Sequence, residues 1–260
     1  MTQLFDPAQR PHRLRRLRDD ALFLHRIAGD ELLENLQTIN RPFNKCALVS
    51  DFDGIIDQFP KFTRIKPADI LNFPGQDFDL IIHFMGLHGT NDPVGQLIQC
   101  HQALKPDGLF LAACFGGDTL ADVKAAFVQA ELDITGGISP RFHPMADVRD
   151  WGGLLQRAGF ALPVADKLTQ QVSYATLWDL FHDLRGMGEA NALYQRQNTP
   201  ITRRWMQQAG AALRPGHAER FDVPFDLIFL SGWVPHDSQQ KPLRPGSAKI
   251  SLIDALGTDT

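Results

Sequence analysis

The sequence has few cysteines and no long apolar run. Its three cysteines, Cys46, Cys100 and Cys114, are odd in number and include no CxxC spacing. This pattern argues against a disulfide framework or a cysteine zinc site and is typical of a reducing compartment. No apolar stretch approaches the roughly 20 residues that a membrane-spanning helix needs, and the N-terminus has no signal-peptide pattern. We therefore expect a cytoplasmic protein without a transmembrane segment.

The sequence also lacks a strong excess of charge of either sign. Its formal net charge is −4, and 43% of its residues are hydrophobic. This composition is sufficient for a packed core and gives no reason to expect a nucleic-acid partner. One stretch, from Arg10 to Arg18, is strongly basic. It could contact an acidic partner or a membrane surface, but we interpret it as the solvated face of an N-terminal helix, with Leu14, Leu17 and Phe23 turned inward.

The absence of a glycine-rich turn is the most informative of these deficits. The run at 79–84, the helical pattern Pro93–Leu104 and the run Leu109–Cys114 predict a βαβ unit, and Cys46–Ser50 predicts an earlier strand. In cofactor-binding α/β folds, a turn with several glycines follows the first strand, because the backbone must approach the ligand closely. Here the sequence is Asp-Phe-Asp-Gly, at 51–54. The pattern predicts a cofactor-type fold with a damaged cofactor site.

The second half of the chain continues the alternation of helices and strands. We predict helices at about 119–132, 147–158, 175–184 and 200–213, and strands at Val172–Tyr174 and Phe225–Val234. Asp118 is expected to cap the first of these helices. The resulting organisation has an N-terminal helical segment (1–45), an α/β domain (46–234) with a helical insertion at about 175–213, and a C-terminal tail (235–260).

Several motifs resemble one known family, the methyltransferase-like assembly factors of respiratory complex I. They are Phe115-Gly-Gly-Asp-Thr-Leu120, Gly136-Gly-x-Ser-Pro140, Asp147-Val-Arg-Asp150, Leu154-Leu-Gln-Arg-Ala-Gly-Phe160, Asp183-Leu-Arg-x-Met-Gly-Glu-x-Asn191 and Gly232-Trp-x-Pro-His-x-Ser-Gln239. These motifs and the Lys-Pro-Leu-Arg-Pro-Gly-Ser-Ala run that follows cover most of residues 104 to 250. Residues 1 to 30 match more loosely.

The resemblance implies a class I methyltransferase-like (Rossmann-like) α/β fold. Its mostly parallel sheet is flanked by helices and has seven strands, one of them antiparallel near the end. The sheet should be abbreviated in its first half, because only 26 residues lie between Asp51 and Phe78, and extra helices should follow in the C-terminal half. The family uses S-adenosylmethionine (SAM) in many members. It includes a mitochondrial relative that hydroxylates an arginine and a carrier-protein methyltransferase of biotin synthesis.

The resemblance also places the residues that would hold SAM. Asp51, Asp53 and Gly54 stand where the glycine-rich turn is expected, and Asp69 lies in a segment that resembles the family's adenine contact. After the next strand, the matching positions are Met85, Leu87 and His88. Gly89 replaces an expected bulky aromatic residue, which would open the pocket wall. Because one glycine cannot supply the backbone freedom of the usual turn, we expect SAM to bind weakly or not at all.

A second group of polar residues is predicted to contact a partner or substrate. It comprises Gly117, Asp118, Arg185, Glu189, Asn191, His236, Gln239 and Arg244. Asp118, however, could act only as a helix cap, and Arg185, Glu189 and Asn191 could simply connect helix ends. A nonheme iron site is not expected, because neither the histidines His83, His88 and His101 nor the pair His217-x-Glu219 forms a convincing ligand set. A Ser-His-Asp hydrolase is expected even less, because the sequence has no Gly-x-Ser-x-Gly elbow.

Three functional interpretations follow. The leading one is a methyltransferase-fold protein of the complex I assembly factor type that acts mainly by binding a protein partner. That partner would be a respiratory-complex subunit, another assembly factor or a paralogue. The alternatives are an active SAM-dependent methyltransferase, acting on a protein or a small molecule, and an arginine hydroxylase. No catalytic residue is assigned by the sequence.

Overall fold

The fold is built on a six-stranded sheet with the strand order β2-β1-β3-β4-β6-β5. The computed structural model describes residues 3–52, 62–197, 200–214, 216 and 218–240. The strands are β1 (Cys46–Val49), β2 (Phe62–Ile65), β3 (Phe78–Phe84), β4 (Leu104–Gly116), β5 (Ala161–Tyr174) and β6 (Phe221–Trp233). β1 to β4 are mutually parallel. β6 is antiparallel to both of its neighbours, β4 and β5, as expected for the strand near the end of the chain.

The first half of the sheet is shortened, as the spacing predicts. In the described residues between β1 and β3 there is one strand, β2, which pairs directly with β1 as an edge strand. Only residues 50–61 separate β1 from β2, close to the minimum length of a parallel crossover. The described sheet therefore has six strands where the resemblance implies seven.

Helices cover both faces of the sheet. They are α1 (Gln9–Leu14), α2 (Phe23–Gln37), α3 (Pro93–Ala103), α4 (Ala121–Thr135), α5 (Val148–Arg157), α6 (Leu177–Gly186) and α7 (Arg203–Ala212). Alternate residues of the central strands point to opposite faces. Leu80, Ile82 and Phe84 pack with α2, α4, α6 and α7, whereas Ile81 packs with α3 and α5. All seven β3 residues are buried, which explains why five of them are apolar; the other two, Asp79 and His83, are hydrogen-bonded.

Three element boundaries differ from the predictions. β4 begins at Leu104, so the Pro-Asp-Gly turn at 106–108 lies within the strand. β5 has 14 residues rather than the three predicted; its side chains alternate between half-buried and exposed because it is an edge strand. α4 begins after Leu120, which adopts a left-handed conformation (φ 60°), so Asp118 is not its cap. In the described part of the chain, no helix is long and apolar enough to cross a membrane.

Candidate functional site

The carboxyl ends of β1, β3 and β4 meet at one edge of the sheet, which we call the carboxyl edge. Ligands of open α/β sheets bind at this edge. Two cavities lie along it. The large cavity has a volume of about 470 Å³, and the small cavity has a volume of about 360 Å³. Residues that the sequence singles out line both of them.

The large cavity is lined mainly by apolar side chains, together with several charged ones. The apolar lining includes Phe115, Phe127, Phe142, Phe181, Met206 and Phe225. Among the polar lining residues, Arg141 is held by Glu131 and lies over the Trp205 ring at 4.2 Å. Lys124 and Arg185 also line the cavity and are exposed. The only carboxylate among the lining residues is Glu189.

Glu189 lies shortly after the end of α6, where hydrogen bonds hold both its backbone and its side chain. Its backbone N–H donates to the Leu184 carbonyl at 2.8 Å, and its Oε2 lies 3.1 Å from Nε2 of His88. The side chains of His88 and Glu189 are only 4% and 11% exposed. Burial by itself would raise the pKa of Glu189, but His88, Arg13 and His143 together lower it to about 2. The wall of the large cavity therefore carries an ionised carboxylate at neutral pH.

Three buried histidines near the carboxyl edge add no charge at neutral pH. Burial lowers the pKa of His25, His83 and His143 to about 4. His83 Nε2 lies 2.9 Å from Oε1 of Gln96, and His143 accepts the Ala192 N–H. Both ring nitrogens of His25 lack a hydrogen-bond partner among the described residues. The balance of charge at the site is therefore set by Glu189, Asp51 and the arginines.

The basic N-terminal stretch is not a solvated helix face, contrary to prediction. α1 spans only six residues, and two of its arginines turn toward the carboxyl edge. Arg10 Nε donates to Asp51 Oδ2 at 2.5 Å, and Arg13 Nη1 donates to the Gly188 carbonyl at 3.2 Å. Arg15 and Arg16 remain exposed. The pairing is invisible in the sequence because Asp51 and Gly188 are far from α1 along the chain.

Residues 4–18, which we call the N-terminal strap, are pinned across this edge. The Asn91 side chain accepts the backbone N–H groups of Leu4 and Phe5 and donates to the Phe5 carbonyl. Phe5 forms a β-bridge with Leu193. Asp6 pairs with Arg196 at 2.8 Å. The strap forms one wall of the small cavity, opposite residues 67–69, Gly86 and residues 89–91.

Of the predicted SAM residues that the structure describes, only Asp69 lines one of the two cavities. Asp51 is engaged by Arg10, and Asp53 and Gly54 lie outside the described residues. Asp69 lines the small cavity with an exposed side chain. Met85 and Leu87 are 4% and 1% exposed and line neither cavity. With a guanidinium on Asp51, the residues present do not fit the amino-acid end of SAM.

Two other predicted positions have structural roles. The Asp118 backbone N–H donates to Asp226, which is 1% exposed and also accepts from Thr169 and Lys167. Gly117 has φ 55°, and a Cβ at this position would overlap the Asp226 carboxylate. Neither Gly117 nor Asp118 lines either cavity. The Gly-Gly-Asp-Thr motif thus links the end of β4 to β6 through hydrogen bonds to Asp226.

The other predicted contact residues divide between two ends of the sheet. Arg185, Glu189 and Asn191 line the large cavity. His236 and Gln239 follow β6 at the opposite edge, beyond the pairing of Trp233 with Leu109, about 30 Å away along β4. Arg244 lies outside the described residues. Within the described chain, no group of three His, Cys, Asp or Glu side chains is arranged to hold a metal ion.

Gln239 is expected to contribute to stability rather than to cavity binding. Its Nε2 donates to Asp107 Oδ1 at 2.9 Å and to the Val234 carbonyl at 2.8 Å. Replacing Gln239 by Ala should lower the free energy of unfolding by about 1 kcal/mol, the usual net effect of lost hydrogen bonds. Urea unfolding measures this change. Ligand affinity at the large cavity should stay unchanged in Q239A, and a loss there would contradict the assignment.

Known proteins similar to this chain are of two kinds. The Danio rerio protein named arginine-hydroxylase NDUFAF5, mitochondrial, is 39% identical over 189 residues, which are 72% of this chain and 59% of that protein. The Homo sapiens protein of that name is 37% identical over 198 residues, 75% of this chain and 57% of that protein. A malonyl-[acyl-carrier protein] O-methyltransferase from Laribacter hongkongensis is 28% identical over 193 residues, 72% of this chain and 62% of that protein. The chain thus spans about 60% of the length of these curated relatives. No protein-family model matches it.

Solved structures show the fold. A candidate methyltransferase from Bacillus halodurans C-125 superposes with a TM-score of 0.52 at 15% identity, over 79% of this chain and 99% of that one. The YcgJ protein of Bacillus subtilis gives 0.50 at 13% identity, over 79% and 98%. The predicted class I methyltransferase-like, mostly parallel sheet is confirmed. The chain is a homologue of the NDUFAF5 proteins and shares the class I methyltransferase fold.

Proposed function

We propose that this chain binds a partner protein and receives one of its arginine side chains in the large cavity. The observation that carries the proposal is Glu189, an ionised and nearly buried carboxylate in an aromatic cavity. A carboxylate and a guanidinium match in charge and form strong hydrogen bonds. Because His88 contacts Oε2 of Glu189, the inserted guanidinium would donate to Oε1. Burial strengthens such a pair, because few water molecules compete for the carboxylate.

The walls of the cavity suit the rest of an arginine side chain. Phe142, Trp178 and Phe181 line it, and aromatic faces attract a guanidinium through cation–π contacts. Lys124 and Arg185 are exposed lining residues, so they would meet the partner segment before the buried carboxylate does. These cations favour acidic residues around the inserted arginine. We therefore propose an arginine within an acidic segment as the element that is recognised.

The biological role that we propose is assembly of a respiratory complex of the complex I type. It rests on the similarity to the NDUFAF5 proteins, which are named arginine hydroxylases. The partner would be a subunit, another assembly factor or a paralogue, and partner binding would be the main activity. Hydroxylation of the bound arginine is a second candidate, favoured by the relatives' name. A cytoplasmic location remains a prediction, since these relatives are named as mitochondrial.

A SAM-dependent methyltransferase is the other enzymatic candidate. It is favoured by the small cavity at the carboxyl edge and by the malonyl-[acyl-carrier protein] methyltransferase relative. Its substrate would be a protein side chain or a small molecule. The Arg10–Asp51 pair stands against it, because the pair leaves no free carboxylate in this position for the ammonium group of SAM.

Titration with a minimal arginine probe tests the proposal. Nα-acetyl-arginine methylamide is added to the full chain, and the NMR signal of the Trp178 indole, which lies at the cavity, reports binding. We expect the matched lysine derivative to bind more weakly. E189Q should bind the arginine probe at least about tenfold more weakly, since a charged hydrogen bond contributes about 1.5–3 kcal/mol.

The matched control is E34Q, which makes the same change at an exposed glutamate of α2. Its affinity for the probe should equal that of the wild type. Circular dichroism establishes that both variants are folded. Equal affinity of wild type and E189Q for the arginine probe would refute the assignment of Glu189.

A further inference from the structure

The small cavity is lined by a cationic side chain of the protein itself, Arg10. Two guanidinium nitrogens of Arg10, Nε and Nη2, contact the same Asp51 oxygen, Oδ2. The two side chains are 31% and 17% exposed, so the pair is largely shielded from water. Asp51 follows β1, where the sequence places the cofactor turn. The carboxylate that would meet a cationic ligand group is thus already neutralised from within the chain.

This ion pair should weaken the binding of SAM more than the binding of most other ligands. SAM carries two positively charged groups, a sulfonium and an ammonium, beside one carboxylate. If Arg10 stays on Asp51, the ammonium group loses its carboxylate and faces Arg10 and Arg13, both of which line the cavity. Like charges at a few ångströms repel each other. The charges at this position therefore oppose the amino-acid end of SAM.

The position of Arg10 is well fixed, because hydrogen bonds and an ion pair hold the strap both before and after this residue. Before Arg10, Asn91 and Arg196 hold Leu4, Phe5 and Asp6. After it, Arg13 donates to the Gly188 carbonyl, and the Arg18 N–H donates to the Gly186 carbonyl at 3.0 Å. Arg10 is thus presented to Asp51 by a pre-ordered segment.

We infer that the Arg10–Asp51 ion pair determines ligand specificity at the small cavity: it occupies the place of the amino-acid end of SAM and excludes that cofactor. The pair acts in addition to the shortened crossover and the altered turn at 51–54. It is reversible by substitution, since a side chain can be changed without rebuilding the backbone. The inference does not depend on the arginine-binding function proposed for the large cavity.

Calorimetric titration of the full chain with SAM tests the inference. D51N removes the acceptor charge at nearly constant shape, and R10Q removes the cation. We expect R10Q to bind SAM at least tenfold more tightly than the wild type, because Asp51 then becomes free for the ammonium group. D51N should show no gain, because it keeps Arg10 and offers no carboxylate. R16Q is the matched control, because it makes the same charge change at an exposed arginine of the strap, and it should bind as the wild type does.

Two results would overturn the inference: no gain in R10Q, or a gain in D51N or R16Q equal to that in R10Q. Circular dichroism of each variant shows that the fold is retained before titration. The same proteins are titrated with the arginine probe, whose affinity should change little. A gain in SAM affinity without arginine binding would leave the inference intact and refute the proposed function, so the two failures are distinguishable.

Discussion

Acidification from pH 7 to pH 5 is expected to destabilise this protein severely. His25, His83 and His143 have folded-state pKa values lowered to about 4 by burial, against about 6.5 in the unfolded chain. Between these values, the unfolded state binds protons that the folded state does not. Stability that is present above pH 6.5 is therefore lost as the pH falls toward 4. With three such groups, the free energy of unfolding should fall by roughly 3 kcal/mol per pH unit near pH 5.5.

Protonation of Glu189 extends the loss of folding stability to lower pH. Its pKa is lowered to about 2, so the stability it contributes is present above its ordinary pKa and disappears as the pH falls through 2. Urea unfolding at half-unit intervals from pH 7.5 to 5 measures the first effect. H25L should reduce the slope by about a third, while H12Q, at an exposed histidine of α1, should leave it unchanged. A free energy of unfolding that stays constant over this range would contradict the burial of these groups in neutral form.

Replacement of Gly117 by Ala is expected to have the second large effect. The new Cβ would overlap the buried Asp226 carboxylate, and φ at this position is 55°. A left-handed conformation costs a non-glycine residue about 1–2 kcal/mol, and displaced hydrogen bonds to a charged group cost about 1.5–3 kcal/mol. We expect a loss of roughly 3–5 kcal/mol, or about 10 °C in Tm for a chain of this size.

The matched control for this substitution is Gly153→Ala in α5. A Cβ at Gly153 meets no atom within 4 Å, and alanine is the better helix former by about 1 kcal/mol. G153A should therefore leave Tm unchanged or raise it slightly in differential scanning calorimetry. A Tm of G117A within 2–3 °C of the wild type corresponds to a loss of only about 1 kcal/mol. Such a result would contradict the claim that Asp226 links the end of β4 to β6.

The fold could be predicted because its central strands carry a strong local signal. The second half of β4 is a continuous apolar run and β3 is predominantly apolar, since helices cover both of their faces. β5 was missed over most of its length because it is an edge strand, where exposed positions carry Lys167, Gln171 and Ser173 and resemble a polar loop. Its register is set by pairing with β6, a contact that is distant in sequence.

The candidate site could be predicted only in part. Glu189 and Asn191 belong to one recognisable motif, and the structure places both at the large cavity. Arg10 and Arg13 could not be assigned, because a short basic helix does not reveal which carboxylate it will meet across the fold. Their contacts depend on the path of the strap, which distant residues such as Asn91 determine.

Co-purification of the chain with its partners from the native host tests the central claim most directly. Wild type, E189Q and E34Q are expressed at equal levels, and the captured proteins are quantified by mass spectrometry. We expect subunits or assembly factors of a complex I-type respiratory complex to be enriched with the wild type and E34Q, and to be depleted at least tenfold with E189Q. Equal enrichment of these proteins with E189Q, or their absence from the wild-type sample, would contradict the account.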